Sequence, residues 1–169
     1  MLATKSLKEA ARRNSTVLTG LALALAWAGW AACVGVLDVC SRRVSNRWFV
    51  GALPLAVGSL WHRYPSIGLA LLVGGAGLIV AVALNLPAWF RGWMGGADVK
   101  AYALIGLGFG VWHFLEIFLA TSLLFGLAAL AVRLRGAVPV QRMVMLPALS
   151  ISLCAWLASG PWWWGDQVF

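Results

Sequence analysis

Long uncharged apolar runs alternate with short basic segments along the whole chain. A helix that crosses a bilayer needs roughly 20 predominantly apolar residues, and most of the runs approach that length. Six runs have this character: Asn14 to Leu37, Trp48 to Trp61, Tyr64 to Phe90, Ala101 to Leu115, Ile117 to Val132 and Met143 to Gly165. Because the connections between them are short, the pattern predicts one all-α membrane unit over residues 1–169. It has about six transmembrane helices and a basic tail at residues 1–15.

Composition and charge agree with a membrane protein. Hydrophobic residues make up 62% of the chain and charged residues only 11%, whereas soluble domains carry about 25% charged residues. The net charge of +8 would suggest nucleic acid in a soluble protein, but here Lys and Arg lie in the tails and in the loops between apolar runs. Such loops are topology signals that contact anionic lipid. We therefore expect a lipid bilayer as a partner and no nucleic acid.

The basic residues also predict an orientation. With six spans, the loops around Arg42, Arg91 and Arg133 share one face, and they hold eight of the Lys and Arg residues against five on the face of the termini. The positive-inside rule then places these loops in the cytoplasm. Four of the five opposing charges lie in the amino-terminal tail, which often dominates orientation, so the side of the tail stays open.

Two of the five acidic residues lie where an apolar run meets Arg, Lys and Gly: Asp38 and Asp98. Ionisable side chains at membrane depth are costly and by default mark a functional site. If the first helix ends near Asp38 and the fourth begins near Asp98, both carboxylates lie at the same depth and can meet. Two neighbouring carboxylates share a proton, so one serves as base and the other as acid in activating water. Alternatively, each caps a helix or pairs with Arg42, Arg43 or Lys100.

Two motifs around these aspartates resemble the type IV prepilin leader peptidases, in particular the short form associated with tight-adherence (Flp) pili. In the first, Asp38 is followed eight positions later by Asn46, with basic residues and a β-branched residue between them. The second is a glycine-rich G-x-G-D-x-K signature, which reads GGADVK from Gly95 to Lys100. The chain departs from this signature at Ala97, where the family usually has glycine. The resemblance runs from about Leu21 to Val132.

This resemblance implies an intramembrane aspartic endopeptidase that removes the short basic leader of a prepilin or pseudopilin. Cleavage would occur at the cytoplasmic face of the inner membrane, with Asp38 and Asp98 as the catalytic pair and without metal or cofactor. The matching positions that would support the site or bind substrate are Gly95, Gly96, Lys100 and Asn46. Long relatives also methylate the new amino terminus through a loop with paired CxxC motifs. Since the sequence shows no such motif, we expect cleavage without methyl transfer.

Two rival interpretations use the same aspartates. Proteases of the signal-peptide-peptidase type are usually much larger and pair the first aspartate with a tyrosine inside a helix, whereas Leu37 precedes Asp38 here. A small proton- or cation-coupled transporter is the non-enzyme alternative, but it would need acids near mid-membrane. The sequence leaves open which pilin is cut, which bond is preferred and the oligomeric state.

Several other residues are assigned structural roles. Pro87 is expected to end the third helix, and His113 with Glu116, three positions apart, is expected to form a packing pair rather than a metal site. The three cysteines are expected to be small apolar fillers. Helix packing is the role predicted for the glycines inside apolar runs, namely Gly74, Gly75, Gly77, Gly106, Gly108 and Gly110.

Overall fold

The structure is a computed structural model that describes residues 2–41, 43–64, 66–135 and 145–159, with side chains described from Asn14 onward. Within these ranges the regular secondary structure is entirely helical, which confirms the all-α prediction. The five helices are α1 (Leu2–Ser41), α2 (Asn46–Arg63), α3 (Ile67–Phe90), α4 (Gly96–Leu134) and α5 (Leu146–Ala158). Much of the last predicted run, around the tryptophans at 162–164, lies outside the described residues.

Three helical segments are long and apolar enough to cross a membrane: Asn14–Ser41 within α1, Ile67–Phe90 and Gly96–Leu134. The helices α2 and α5 are shorter, with 18 and 13 residues. Large apolar side chains cover the outside of the bundle, and Leu71, for example, is 70% exposed. An apolar exterior suits contact with lipid, so these helices indicate a multi-pass membrane protein. That the chain crosses six times stays a prediction.

The helix α4 folds back on itself at Gly110. This glycine has φ 77° and ψ −178°, a backbone conformation that residues other than glycine rarely adopt. The ring centroids of Tyr102 and Phe118 lie 5.4 Å apart, whereas 16 residues of straight helix would separate them by about 24 Å. The first arm (96–109) and the second arm (111–134) are therefore antiparallel. The predicted break at Glu116 is wrong: the chain turns six residues earlier, and Glu116 lies within the second arm.

Helix α3 packs against α4 with backbones in contact. A methyl group built on Gly77 would overlap the carbonyl group of Gly106, and one built on Gly106 would overlap Gly77. Close approach of this kind is what small residues permit in apolar surroundings, so the packing role predicted for Gly77 and Gly106 is confirmed. The same prediction is wrong for Gly75, where an added methyl group would meet nothing within 4 Å among the described residues. The prediction that Pro87 ends α3 is wrong. The helix continues to Phe90 because a proline in the last turn forfeits only one backbone hydrogen bond.

A fully buried tryptophan, Trp27, joins three helices in the core. Its indole Nε1 donates a hydrogen bond to Ser59 Oγ of α2 at 2.8 Å, and its ring centroid lies 5.0 Å from that of Phe109 on α4. An amphipathic aromatic side chain of this kind can fill the interior while its polar atom stays satisfied. The contact fixes α1 against α2 and the first arm of α4, the helices that carry Asp38, Asn46 and Asp98.

Four helix termini meet at one end of the bundle. Asp38 lies near the end of α1, Asn46 begins α2, and Asp98 lies in the first turn of α4. The indole of Trp89 near the end of α3 approaches Gly96, where a built methyl group would lie 3.7 Å from Nε1. We call this the aspartate end. At the opposite end, the Arg63 guanidinium lies 5.9 Å from the Phe109 ring centroid, close to the turn at Gly110.

Candidate functional site

The two aspartates are buried although each lies near a helix terminus. Asp38 is 8% exposed and Asp98 is 9% exposed. Asp38 comes three residues before α1 ends at Ser41, whose hydroxyl donates to the Leu37 carbonyl at 2.7 Å. A carboxylate that is removed from water in this way is costly unless it has a partner or a function.

The first turn of α4 orients the Asp98 carboxyl. Its Oδ2 accepts a hydrogen bond from the Gly95 backbone N–H at 3.0 Å, so Asp98 caps the amino terminus of its own helix. Capping was one of the alternatives that the sequence left open, and Asp98 does cap its helix. Capping does not exhaust the surroundings of this carboxyl, because Asp38, a second buried acidic residue, lies at the same end of the bundle. Asp38 and Asp98 thus lie at the same end of the bundle, on different helices.

Lys100 and Asn46 contact each other. The Lys100 ammonium donates to Asn46 Oδ1 at 2.7 Å and so ties the first arm of α4 to the start of α2. Within the described residues, Lys100 forms no ion pair with Asp98, since the ion pair found there joins His113 and Glu116. The contact therefore links α4, which carries Asp98, to α2, the helix that follows Asp38 in the chain.

The two glycines of the second motif, Gly95 and Gly96, differ in how much room they leave for a side chain. Both are exposed, and neither has a positive φ: Gly95 is extended, with φ −74°, and Gly96 is helical. A methyl group on Gly95 would lie 3.2 Å from Asp98 Oδ2, tighter than an ordinary contact, whereas one on Gly96 would have normal room. Ala97 is also helical, so the extra methyl group that distinguishes this chain from the signature fits the backbone without strain.

Sequence reasoning missed three buried polar residues on α3 and α4. Tyr102 follows Asp98 by four positions and is fully buried, as is Thr121 on the second arm, and Asn85 on α3 is 1% exposed. Asp98 and Tyr102 interact electrostatically. The four-residue spacing could have revealed Tyr102, because side chains four apart share one face of a helix. Nothing in the sequence indicates that Asn85 and Thr121 are buried as well.

The His113 and Glu116 pair lies at the opposite end. His113 Nδ1 is 3.1 Å from Glu116 Oε2, and Trp156 Nε1 donates to the same oxygen at 2.9 Å. These contacts join α4 to α5, which confirms the predicted packing role. Throughout the described ranges, no group of three His, Cys, Asp or Glu residues is arranged to hold a metal ion.

One comparison with known proteins gives a match, and it covers the residues of the aspartate end. A model described as the type IV leader peptidase family matches residues 18–130, more than half of the chain. No match was found among curated proteins or among solved structures. The matched range begins within α1 and ends in the second arm of α4, so it contains both aspartates, Asn46 and Lys100. Family membership implies a protease and suggests a prepilin substrate. The chain belongs to the type IV leader peptidase family.

Proposed function

We propose that this protein is an aspartic endopeptidase that removes the short basic leader of a prepilin or pseudopilin at the cytoplasmic face of the inner membrane. The observation that carries the proposal is the burial of two carboxyl groups, Asp38 and Asp98, at the same end of the bundle in a leader peptidase family member. Among the described residues, no Lys or Arg lies within ion-pair distance of Asp98. A purely structural pair of acids would gain little from such burial.

The proposed reaction is hydrolysis of one peptide bond by water. Two neighbouring carboxyl groups hold one proton between them, so the ionised one removes a proton from water while the protonated one hydrogen-bonds the substrate carbonyl. Water oxygen then bonds to the carbonyl carbon, and the amide nitrogen leaves with a proton from the dyad. The products are a leader with a new carboxyl terminus and a mature protein with a new amino terminus. No methyl group is transferred in this scheme.

The surroundings of the aspartates suit a peptide substrate. A bond inside a helix must be unwound before water can reach it, and Gly95 and Gly96 leave exposed backbone beside Asp98 for an extended chain to approach. Lys100 can assist by hydrogen bonding, but its contact with Asn46 makes a positioning role the primary one.

Charge supports the cytoplasmic orientation. The described basic side chains near the aspartate end are Arg43, Arg47, Arg91, Lys100, Arg133 and Arg135. The second arm of α4 contributes its last residues to this end because it runs antiparallel to the first arm. Under the positive-inside rule, an end with this many basic residues faces the cytoplasm.

Asparagine variants test the proposal. Asp38→Asn and Asp98→Asn keep the side-chain volume and remove the ability to share a proton, so each should abolish leader removal from a co-expressed prepilin, followed by gel shift. The unaltered chain should remove the leader. If it leaves the leader in place, the peptidase proposal fails and the transporter alternative gains. Cleavage by either asparagine variant would exclude the two-aspartate mechanism.

A further inference from the structure

A set of buried polar side chains lies between α3 and the two arms of α4, behind Asp98. The Asn85 amide nitrogen donates to the Ala81 carbonyl at 2.7 Å, but its Oδ1 has no hydrogen-bond partner among the described residues. The Tyr102 hydroxyl also lacks a well-formed hydrogen bond there. It lies beside the hydroxyl of Thr121, which already donates to the Ile117 carbonyl at 2.7 Å. Two oxygen atoms are thus buried and available.

The helix register places these groups at one depth. On α3, Ala81 meets Gly106 and Trp89 meets Gly96, so Asn85, midway between them, lies level with residues 101–102 of the antiparallel first arm. The side chain of Asn85 continues the buried face formed by Gly77 and Ala81. It therefore points into the same interior region that Tyr102 occupies.

The same region adjoins the catalytic carboxyl. Tyr102 follows Asp98 by one helical turn on the same face, and side chains in a helix lean back toward its amino terminus, here toward Asp98. The rings of Phe114 and Phe118 contact the Tyr102 ring at centroid distances of 6.0 and 5.4 Å and hold it in place. Thr121, on the second arm, lies on the Asp98 side of Phe118. The Tyr102 hydroxyl is thus directed at the space behind Asp98.

We propose that Tyr102 and Asn85 bind a buried water molecule that hydrogen-bonds to the Asp98 carboxyl and holds it in the orientation needed to share a proton with Asp38. Buried water typically makes about three hydrogen bonds to otherwise unsatisfied polar groups. The Tyr102 hydroxyl donates to this water, which in turn donates to Asn85 Oδ1 and to the carboxyl. The Gly95 N–H holds Asp98 Oδ2 from the outside, and the water holds the carboxyl from the inside. Tyr102 and Asn85 are positioning residues, and the inference rests on the proposed function.

Tyr102→Phe tests the inference because it removes one oxygen atom and keeps the ring packing. With purified protein in detergent micelles and a peptide that joins a basic leader to an apolar segment, kcat should fall about tenfold, the effect of losing one hydrogen bond. KM should stay within about twofold, because the hydroxyl does not contact substrate. The chain's other tyrosine, Tyr64 at the opposite end, supplies the matched control, and Tyr64→Phe should leave kcat unchanged.

Asn85→Leu and the double variant test the shared water. Asn85→Leu should also lower kcat about tenfold, and the double variant should lose little more than either single one, because both changes remove the same water. The opposite result for Tyr102→Phe is unchanged kcat with a raised melting temperature, since removal of an unsatisfied buried hydroxyl is stabilising. That result, or multiplicative loss in the double variant, would overturn the inference. Unchanged kcat while Asp98→Asn is inactive would refute this inference alone, whereas an active Asp98→Asn would refute the proposed function.

Discussion

The contact between α3 and α4 is the part of the fold that a single methyl group should test most sharply. At Gly77 an added Cβ would overlap the carbonyl oxygen of Gly106 and lie 2.8 Å from the carbonyl carbon of Gly106 and 2.9 Å from that of Gly110. All three atoms belong to the backbone, so no side-chain rotation can relieve the overlap. Two positions earlier, Gly75 has nothing within 4 Å of the equivalent point. The two glycines therefore form a matched pair within one helix.

The expected difference between the two alanine variants is large. Overpacking a close contact typically costs about 1 to 3 kcal/mol, and a backbone overlap lies at the upper end of this range. Replacement of an unconstrained helical glycine by alanine instead stabilises by about 1 kcal/mol. Gly77→Ala should thus lower the free energy of unfolding, Gly75→Ala should raise it, and the two should differ by about 2 to 4 kcal/mol.

Reversible unfolding in mixed detergent micelles, followed by tryptophan fluorescence, measures this difference. At temperatures below its melting temperature, the Gly77→Ala variant should also cleave the leader more slowly than the unaltered protein. The reason is that α3 supports the first arm of α4, which carries Asp98. Equal stability of the two variants would mean that α3 and α4 do not approach each other this closely. The register that places Asn85 level with residues 101–102 would then also be wrong.

Two further predictions concern the residues around Asp98. Lys100→Met removes the hydrogen bond to Asn46, an exposed contact worth about 1 kcal/mol, so cleavage should fall several-fold. Asn46→Ala should lower the cleavage rate by a similar factor. In a double-mutant cycle of cleavage rates, the losses from Lys100→Met and Asn46→Ala should not be additive, and full additivity would argue against the contact. Gly95→Ala should impair cleavage more than Gly96→Ala, because only the first methyl group crowds Asp98 Oδ2. Equal cleavage rates for the two variants would show that cleavage tolerates a displacement of the Asp98 carboxyl.

Local sequence signals predicted the helical class and identified Asp38 and Asp98 as candidate site residues, because both inferences depend on short-range patterns. Uncharged runs require helices in an apolar medium, and acids at the ends of such runs are rare enough to stand out. The fold-back of α4 was missed for a physical reason. A glycine in an apolar run can serve close packing or a sharp turn, and in the segment from Gly106 to Gly110 both occur within five residues. Only the neighbours on α3 decide which glycine turns.

The sequence identified candidate site residues but not the contacts that they make. Lys100 and Asn46 each belong to a recognisable motif, yet their hydrogen bond depends on how α2 meets α4. Asn85 was unremarkable as one polar residue in a long apolar run, and its significance appears only when the register of α3 against α4 is known. Long-range pairing is set by packing, which one sequence does not encode in any local pattern.

The most direct test of the central claim is the intact mass of a prepilin substrate after incubation with the purified protein in proteoliposomes. The unaltered protein should reduce the substrate mass by that of its leader, and no added methyl group should appear. Asp38→Asn and Asp98→Asn, shown by their melting curves to be folded, should leave the mass unchanged. Removal of the leader by a folded asparagine variant would contradict the claim that these two carboxyl groups together cleave the peptide bond.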